Sequence, residues 1–192
     1  MRKPGCTFVG PPYDTSILST TENPVKEVCE NIKAHVPEVI AEWDRLVREE
    51  PWFSLPAKHR IDSLPEVVVG IVEASLCEPA AVEAHRQKVH AAAEHGFHRR
   101  TQNLPETVIF TEYHLLRQAI WHFLDRSGTE PGKLLRAVSH IDLALTVATN
   151  ASLWGYHREA IQALGKWEEG MERLVFESPF LKTIAGKNSA AP

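Results

Sequence analysis

A predicted helical hairpin between residues 79 and 127 is the feature of this sequence that most constrains its fold. The first arm is rich in alanine, and the second arm repeats apolar residues at the three- and four-residue spacing of an α-helix. Between the arms, the residues from Asn103 to Glu106 read Asn-Leu-Pro-Glu, which is typical of a helix start closed by a capping box. Two helices that leave a short turn in this way predict an antiparallel pair.

A polar cluster is predicted between the two arms. Antiparallel arms place His95 across from Glu112, and Arg99 follows His95 by one helical turn. Glu112 shares a helix face with apolar residues, and a carboxylate in such surroundings needs a cationic or hydrogen-bonding partner. The candidate site residues are His95, Arg99, Glu112, Tyr113 and Arg117.

Two interpretations of this cluster remain open at the level of sequence. In the first, it is a structural clamp that fixes how the two helices pack. In the second, it lines a pocket for a small anion or another polar ligand. Charge pairs between helices are more often structural than functional, so residue chemistry favours the clamp.

Helical periodicity continues outside the hairpin. Apolar residues recur at helical intervals from Asn23 onward, with a bend predicted near His35 because Pro37 removes a backbone hydrogen bond. A further helix, predicted to begin at Ser63 with the same capping pattern, is apolar nearly all round and is expected to be central. No segment competes as a β-strand. The predicted fold is therefore all-α, an antiparallel helical bundle with a long C-terminal helix, and a globin-like helical fold is the alternative.

The long C-terminal helix is predicted from about residue 131, with no strong stop before Ser178. Because that length exceeds what one small core needs, we expect its second half to project and pair with a second copy of the chain. Glycine weakens a helix by about 1 kcal/mol relative to alanine, so Gly155 and Gly165 mark where a break would fall. The predicted organisation is a flexible extension over residues 1–22, a helical domain over residues 23–178 and a tail over residues 179–192.

Composition argues against several classes of function. The net charge of −4 and the lack of a basic run argue against a nucleic-acid partner. No apolar run approaches the roughly 20 residues of a membrane helix, and the N-terminus lacks the apolar core of a signal peptide. Three cysteines without metal-ligand spacing fit a reducing compartment, so we predict a cytoplasmic protein without a membrane partner.

Sequence motifs for catalysis and for metal binding are not found. The chain has no Glu-x-x-His pair of the di-iron type, no His-Glu-x-x-His, no Gly-x-Ser-x-Gly and no glycine-rich phosphate loop. We therefore predict a protein that is not an enzyme and has no cofactor. The alternative is a globin-like or helical-bundle sensor or enzyme that binds haem or a metal ion through His95.

The hairpin carries an extended motif, His95-Gly96-x-x-Arg99 followed by Glu112-Tyr113-x-Leu115-Leu116-Arg117. This motif resembles the N-terminal sensory domain of the RsbR/RsbD-type co-antagonists of the bacterial stressosome, a domain also found in many bacterial sensor histidine kinases. The resemblance covers roughly residues 25 to 155. Weaker agreement is found at Trp43, Leu64-Pro65 and His140-Ile141-Asp142.

This resemblance implies a non-catalytic signal-input domain, dimeric through its C-terminal helix, that passes a signal to an output domain such as a kinase. Because no output domain follows the long helix in this sequence, we expect either an excised input module or action on a separate downstream signalling protein. On this interpretation, a signal perturbs the packing around the cluster, and the last helix changes its angle or register.

Overall fold

The computed structural model describes residues 24–76 and 82–176. Within those two ranges the chain forms α-helices and short 3-10 turns and no β-strand, which confirms the predicted all-α fold. No helix in the described ranges has the length and apolar character needed to cross a membrane. The predicted extension over residues 1–22 and the predicted tail over residues 179–192 lie outside the described residues.

The helices follow one another with short connections. Proline lies in the first turn of α2, α4 and α7, where its missing amide hydrogen leaves no bond unmade. The bend predicted near His35 is confirmed, since this residue leaves helical geometry between α1 and α2. The bounds are α1 (Pro24–Ala34), α2 (Val36–Leu46), α3 (Ala57–Ile61), α4 (Leu64–Ser75), α5 (Val82–Thr101), α6 (Thr107–Arg126), α7 (Pro131–Tyr156), α8 (Arg158–Ala163) and α9 (Trp167–Phe176).

Helix α4 lies at the centre of the core, as its all-round apolar sequence predicts. It contacts α1, α2, α5 and α7, and its largest side chains, among them Leu64, Val68 and Ile71, are buried. Helix α7 forms the other long contact surface of the core, against α1, α4, α5 and α6. The N-terminal end of α4 therefore sits among the helices that carry the candidate site.

Helix α5 packs most extensively on α7, and α6 packs most extensively on α2, so the two hairpin arms are not each other's main neighbours. The reason is the small residues of α5 and α7, which let the two backbones touch. A Cβ atom on Gly96 would lie 1.7 Å from the carbonyl oxygen of Ser152, and one on Gly155 would lie 1.8 Å from that of Ala93. Only glycine fits at these two positions.

The turn between α5 and α6 differs from the predicted helix start. No side chain caps α6, which begins at Thr107. Asn103 has a φ of 57°, and its amide and that of Leu104 donate to the carbonyl oxygens of Arg100 (3.0 Å) and Arg99 (3.1 Å). These are the bonds of a Schellman motif, so Asn103 ends α5 in the left-handed conformation instead of capping α6.

The segment predicted as a long C-terminal helix is divided into three helices, with interruptions at both expected positions. Helix α7 ends at Tyr156, next to Gly155, and Gly165, with a φ of 65°, lies in the turn between α8 and α9. Helix α9 returns to pack on α5 and α7 and buries Trp167, Met171 and Val175. The apolar spacing that predicts a projecting dimer surface is thus used for packing within the chain.

A buried carboxylate lies where α2 meets α6. Glu42 is 8% exposed, and its Oε1 accepts hydrogen bonds from Arg45 Nη2 (2.7 Å) and His122 Nδ1 (2.8 Å). Arg126 Nη1 lies 3.3 Å from the other carboxylate oxygen. The hydrogen bonds from Arg45 outweigh the opposing effect of burial and, with His122 and Arg126, lower the pKa of Glu42 from 4.5 to about 2.

We expect Glu42 to make folding stability fall at acid pH. Because its pKa is lower in the folded protein than in the unfolded chain, its stabilisation is complete above pH 4.5 and is lost as the pH falls through about 2. Its cationic partners are about half exposed, so we expect a contribution of about 1–2 kcal/mol. Denaturant unfolding of wild type and Glu42→Gln at several pH values measures this. The two free energies of unfolding should converge toward pH 2, and a difference that is the same at pH 7 and pH 2 would contradict the assignment.

Candidate functional site

The candidate site is a buried group of three charged or ionisable side chains from two helices. His95 and Arg99 lie on consecutive turns of α5, and Glu112 lies in the second turn of α6. Glu112 Oε2 is 3.1 Å from His95 Nε2, and Glu112 Oε1 accepts a hydrogen bond of 2.8 Å from Arg99 Nε. All three side chains are 0% exposed. The structure therefore brings together three of the five residues that the sequence predicts.

Arg99 also binds the C-terminal end of α3. Its Nη1 donates to the carbonyl oxygen of His59 (2.9 Å) and to Gln102 Oε1 (3.1 Å), and its Nη2 donates to the carbonyl oxygen of Arg60 (2.6 Å). Carbonyl groups in the last turn of a helix lack partners within the helix and carry partial negative charge. The guanidinium group thus joins the end of α3 to the carboxylate of Glu112.

His95 uses its second ring nitrogen to contact the start of α4. Ser63 Oγ lies 3.3 Å from His95 Nδ1. An ionised carboxylate only accepts hydrogen bonds, so His95 Nε2 donates to Glu112, and in the neutral ring the Ser63 hydroxyl donates to Nδ1. The sequence pattern predicts Ser63 as the cap of α4, but it makes no capping hydrogen bond. That pattern therefore gives no indication of the contact between Ser63 and His95.

The junction between α3 and α4 is held at a further point. Asp62 has a φ of 43°, unusual for a residue other than glycine, and its carboxylate forms a short contact with His98 Nδ1. Gln102 Nε2 donates to the carbonyl oxygen of His59 at 3.0 Å. The side chains that hold this junction are therefore His95, His98 and Arg99 on the last turns of α5, and Gln102 just after it.

Trp43 connects α2 to the same place. This fully buried indole, one of the residues in the weaker part of the resemblance, donates from Nε1 to the backbone carbonyl oxygen of Glu112 at 3.2 Å. Helix α6 is thus fixed at Glu112 from both sides, by α5 through the side chain and by α2 through the backbone.

Tyr113 lies beside the cluster without a hydrogen bond to it. Its ring meets the ring of His95 edge-on, with 6.1 Å between centroids. Ser152 Oγ donates to the carbonyl oxygen of Ala92 (2.7 Å), and a serine has one hydroxyl hydrogen, so the Tyr113 hydroxyl donates to Ser152 Oγ (2.8 Å). Burial raises the pKa of the Tyr113 hydroxyl. Tyr113 therefore links the neighbourhood of the cluster to α7.

Arg117 does not belong to the cluster, and its inclusion in the prediction is wrong. Its Nε donates to Asp142 Oδ1 on α7 at 2.8 Å, and its side chain is 34% exposed. Arg117 follows Glu112 by five residues, which places it about 140° further round α6. A residue at that angle points away from α5.

The chemistry of this site is that of a closed ionic network. Both carboxylate oxygens of Glu112 have cationic or hydrogen-bonding partners, and both ring nitrogens of His95 have contacts, so coordination of iron by His95 would require one of these contacts to break. In the part of the chain that the structure describes, no three His, Cys, Asp or Glu side chains are grouped to hold a metal ion. An arrangement of this kind is suited to holding the helices around Glu112 in fixed positions.

Comparison of the chain with profiles of known protein families, with characterised proteins and with solved structures gave no significant match. The resemblance to the RsbR/RsbD-type sensory domain therefore stays a prediction that depends on the hairpin motif.

Proposed function

We propose that this chain is a non-catalytic signal-input domain that relays a signal to an output domain or a separate partner. The observation that carries the proposal is the buried network around Glu112. Its carboxylate is bound by His95 and Arg99 of α5, which also hold the α3–α4 junction, and its backbone carbonyl oxygen is bound by Trp43 of α2. A buried charge must keep a partner in every stable arrangement, so such a network changes between discrete states and does not deform gradually. The resemblance of the hairpin motif supports the same function.

The cluster is connected to α7 through Ser152. Gly96, the residue after His95, touches the backbone of Ser152, and Tyr113 donates to the Ser152 side chain. A shift of α5 at His95 therefore displaces α7, which in turn contacts α1, α4 and α9. In this proposal, α7 takes the transmitting role that the sequence predicts for a single C-terminal helix.

We further propose that the chain forms a homodimer, that its partner is a downstream signalling protein or kinase, and that it is located in the cytoplasm. A homodimer through the C-terminal helix, as the resemblance implies, needs a surface other than the face with Trp167, Met171 and Val175, because these side chains are buried within the chain. Sedimentation of the purified chain over a range of concentrations measures self-association directly.

The test of the proposal is whether α5 and α7 move together between two states. We expect relaxation-dispersion NMR to show exchange on the microsecond-to-millisecond timescale at the α3–α4 junction, α5 and α7. Tyr113→Phe removes the hydroxyl that links α6 to Ser152. We therefore expect it to change the exchange in α7 and to leave the exchange at the α3–α4 junction unchanged.

Tyr156→Phe is the matched control for this experiment. It also removes one tyrosine hydrogen bond, from Tyr156 to the carbonyl oxygen of Leu104 (2.8 Å), without touching Ser152. It should leave the exchange at Ser152 in α7 as it is in wild type, whereas Tyr113→Phe should change it. Wild-type protein without exchange in α5 and α7, or equal effects of the two substitutions, would overturn the proposal.

A further inference from the structure

A second candidate site lies in a cleft between α4 and α5, apart from the Glu112 cluster. The cleft has a volume of about 420 Å³. That volume is within the range of small-molecule sites. Its exposed lining is mainly apolar, from residues such as Val69 and Ala91, and it also includes two acids, Glu66 and Glu73, together with Gln87 and Lys88.

Lys88 is held in this cleft with an incomplete set of hydrogen bonds. Its side chain is 11% exposed, and its stem fills the space above Gly70, where a Cβ atom would lie 3.0 Å from Lys88 Cγ. Nζ forms an ion pair of 3.2 Å with Glu73 Oε2 at an angle unsuited to a hydrogen bond, and no other described residue hydrogen-bonds to it. Glu73 Oε1 instead accepts a hydrogen bond of 2.9 Å from Lys33 on α1.

A smaller cavity of about 20 Å³ lies on the inner side of Lys88. It is lined by Lys88, His85 and apolar side chains such as Ile71. His85 is 6% exposed, and within the described part of the chain no group hydrogen-bonds to its Nε2. Lys88 lines both the cleft and the smaller cavity, whereas His85 lines only the smaller cavity. Buried polar atoms are nearly always hydrogen-bonded, so the unsatisfied nitrogens of Lys88 and His85 mark a place where a polar ligand atom or a water is accommodated.

The surroundings of Lys88 lower the pKa of its amine and so increase the fraction of its neutral form. Burial lowers the pKa of Lys88 and outweighs the ion pair with Glu73, and the charge of Lys33 acts in the same direction as burial. Burial also lowers the pKa of His85, with a smaller effect from Lys88. A neutral amine is a nucleophile, whereas an ammonium group is not.

We propose that Lys88 is a carbonyl-binding amine, and that the cleft takes a small aliphatic aldehyde or ketone that Lys88 binds reversibly as a Schiff base. The Nζ lone pair attacks the carbonyl carbon, and one amine proton moves to the carbonyl oxygen to give a carbinolamine. The carbon–oxygen bond then breaks, and the hydroxyl leaves with the second amine proton as water. The Glu73 carboxylate at 3.2 Å is placed to carry these protons. The aliphatic part of the ligand packs against Val69 and Ala91.

Occupation of this cleft would act on both helices that meet at the Glu112 network, since α4 begins next to Ser63 and α5 carries His95. That regulatory consequence rests on the proposed function. The binding chemistry does not, because imine formation is measured without any output. A failure of one proposal is therefore distinguishable from a failure of the other.

The experiment uses the full chain with butanal and sodium cyanoborohydride near neutral pH, followed by peptide mass spectrometry. We expect butyl addition at Lys88 to be severalfold faster than at the exposed lysines Lys26 and Lys58, since a lower pKa gives a larger neutral fraction and the cleft holds the aldehyde next to the amine. Lys88→Arg should remove this fast labelling and leave the other two sites unchanged. Labelling of Lys88 no faster than that of Lys26 and Lys58 would overturn the proposal.

A second variant distinguishes a shaped site from a merely reactive amine. Val69→Phe partly fills the cleft, so we expect it to slow the labelling of Lys88 by butanal and to leave labelling by formaldehyde nearly unchanged. Equal rates for butanal in wild type and Val69→Phe would show that the cleft does not bind the aliphatic part, against the proposal.

Discussion

Glu112→Gln is expected to lower the free energy of unfolding by about 3–5 kcal/mol, although the side chain keeps its shape. The amide leaves the Arg99 guanidinium, which is 0% exposed, without a negative partner. It also presents a neutral group to His95 Nε2 in place of an anionic acceptor. For a domain of this size, such a loss corresponds to a fall in Tm of about 10 °C, which calorimetry and denaturant unfolding measure.

Glu106→Gln is the matched control for Glu112→Gln. Glu106 also pairs with a histidine, His157, but both side chains are about half exposed (45% and 48%). Exposed pairs contribute at most about 1 kcal/mol. The double variant Arg99→Met/Glu112→Gln also removes the buried cation. Its loss of unfolding free energy should therefore be smaller than the sum of the losses in the two single variants. A Glu112→Gln variant no less stable than Glu106→Gln would show that the network does not hold the helices together.

Gly155→Ala and Gly96→Ala are each expected to cost about 3 kcal/mol or more, because the added methyl group meets backbone and not a movable side chain. At Gly155 the new Cβ would lie 1.8 Å from the carbonyl oxygen of Ala93, and at Gly96 it would lie 1.7 Å from that of Ser152. Helices α5 and α7 would have to separate at the place where they pack most closely. Denaturant unfolding of each variant measures the cost.

Gly132→Ala is the control in the same helix. A Cβ atom there would meet only the Glu130 side chain, with Oε1 at 3.1 Å, and this exposed carboxylate is free to move. The higher helix propensity of alanine should leave this variant within about 1 kcal/mol of wild type. If Gly155→Ala unfolds at the same denaturant concentration as Gly132→Ala, the close approach of α5 and α7 is not as the structure describes it.

Local sequence was enough to predict the central part of the candidate site. The spacing of His95 and Arg99 on one helix, together with a turn whose position is clear, places both near Glu112. The error at Arg117 comes from the same reasoning, since five residues is not a helical repeat. Ser63 and Asp62 could not be predicted in this way, because they contact His95 and His98 across 32 and 36 residues of chain and neither follows a periodic pattern.

The pairing of whole helices was harder to predict than the helices themselves. Small residues on α5 indicate a close neighbour, but nothing in their spacing says that the neighbour is α7. Likewise, the apolar spacing of Trp167, Met171 and Val175 is the same for a face that pairs with a second copy and for one that folds back. The left-handed turn at Gly165 decides between them, and glycine alone does not specify that conformation.

In the proposed relay, the two backbone contacts between α5 and α7 would act as a pivot. They lie one helical turn apart, at Gly96 with Ser152 and at Ala93 with Gly155, so a relative tilt of the two helices would be centred on this point. The rest of α7, from Ser152 back to Pro131, is a lever of about 30 Å, and a tilt of about 5° at the pivot moves its far end by about 3 Å. That end is held to α1 by the exposed ion pair of Lys133 with Glu27 (2.6 Å). Small movements at the buried network would therefore be largest at the opposite end of the molecule.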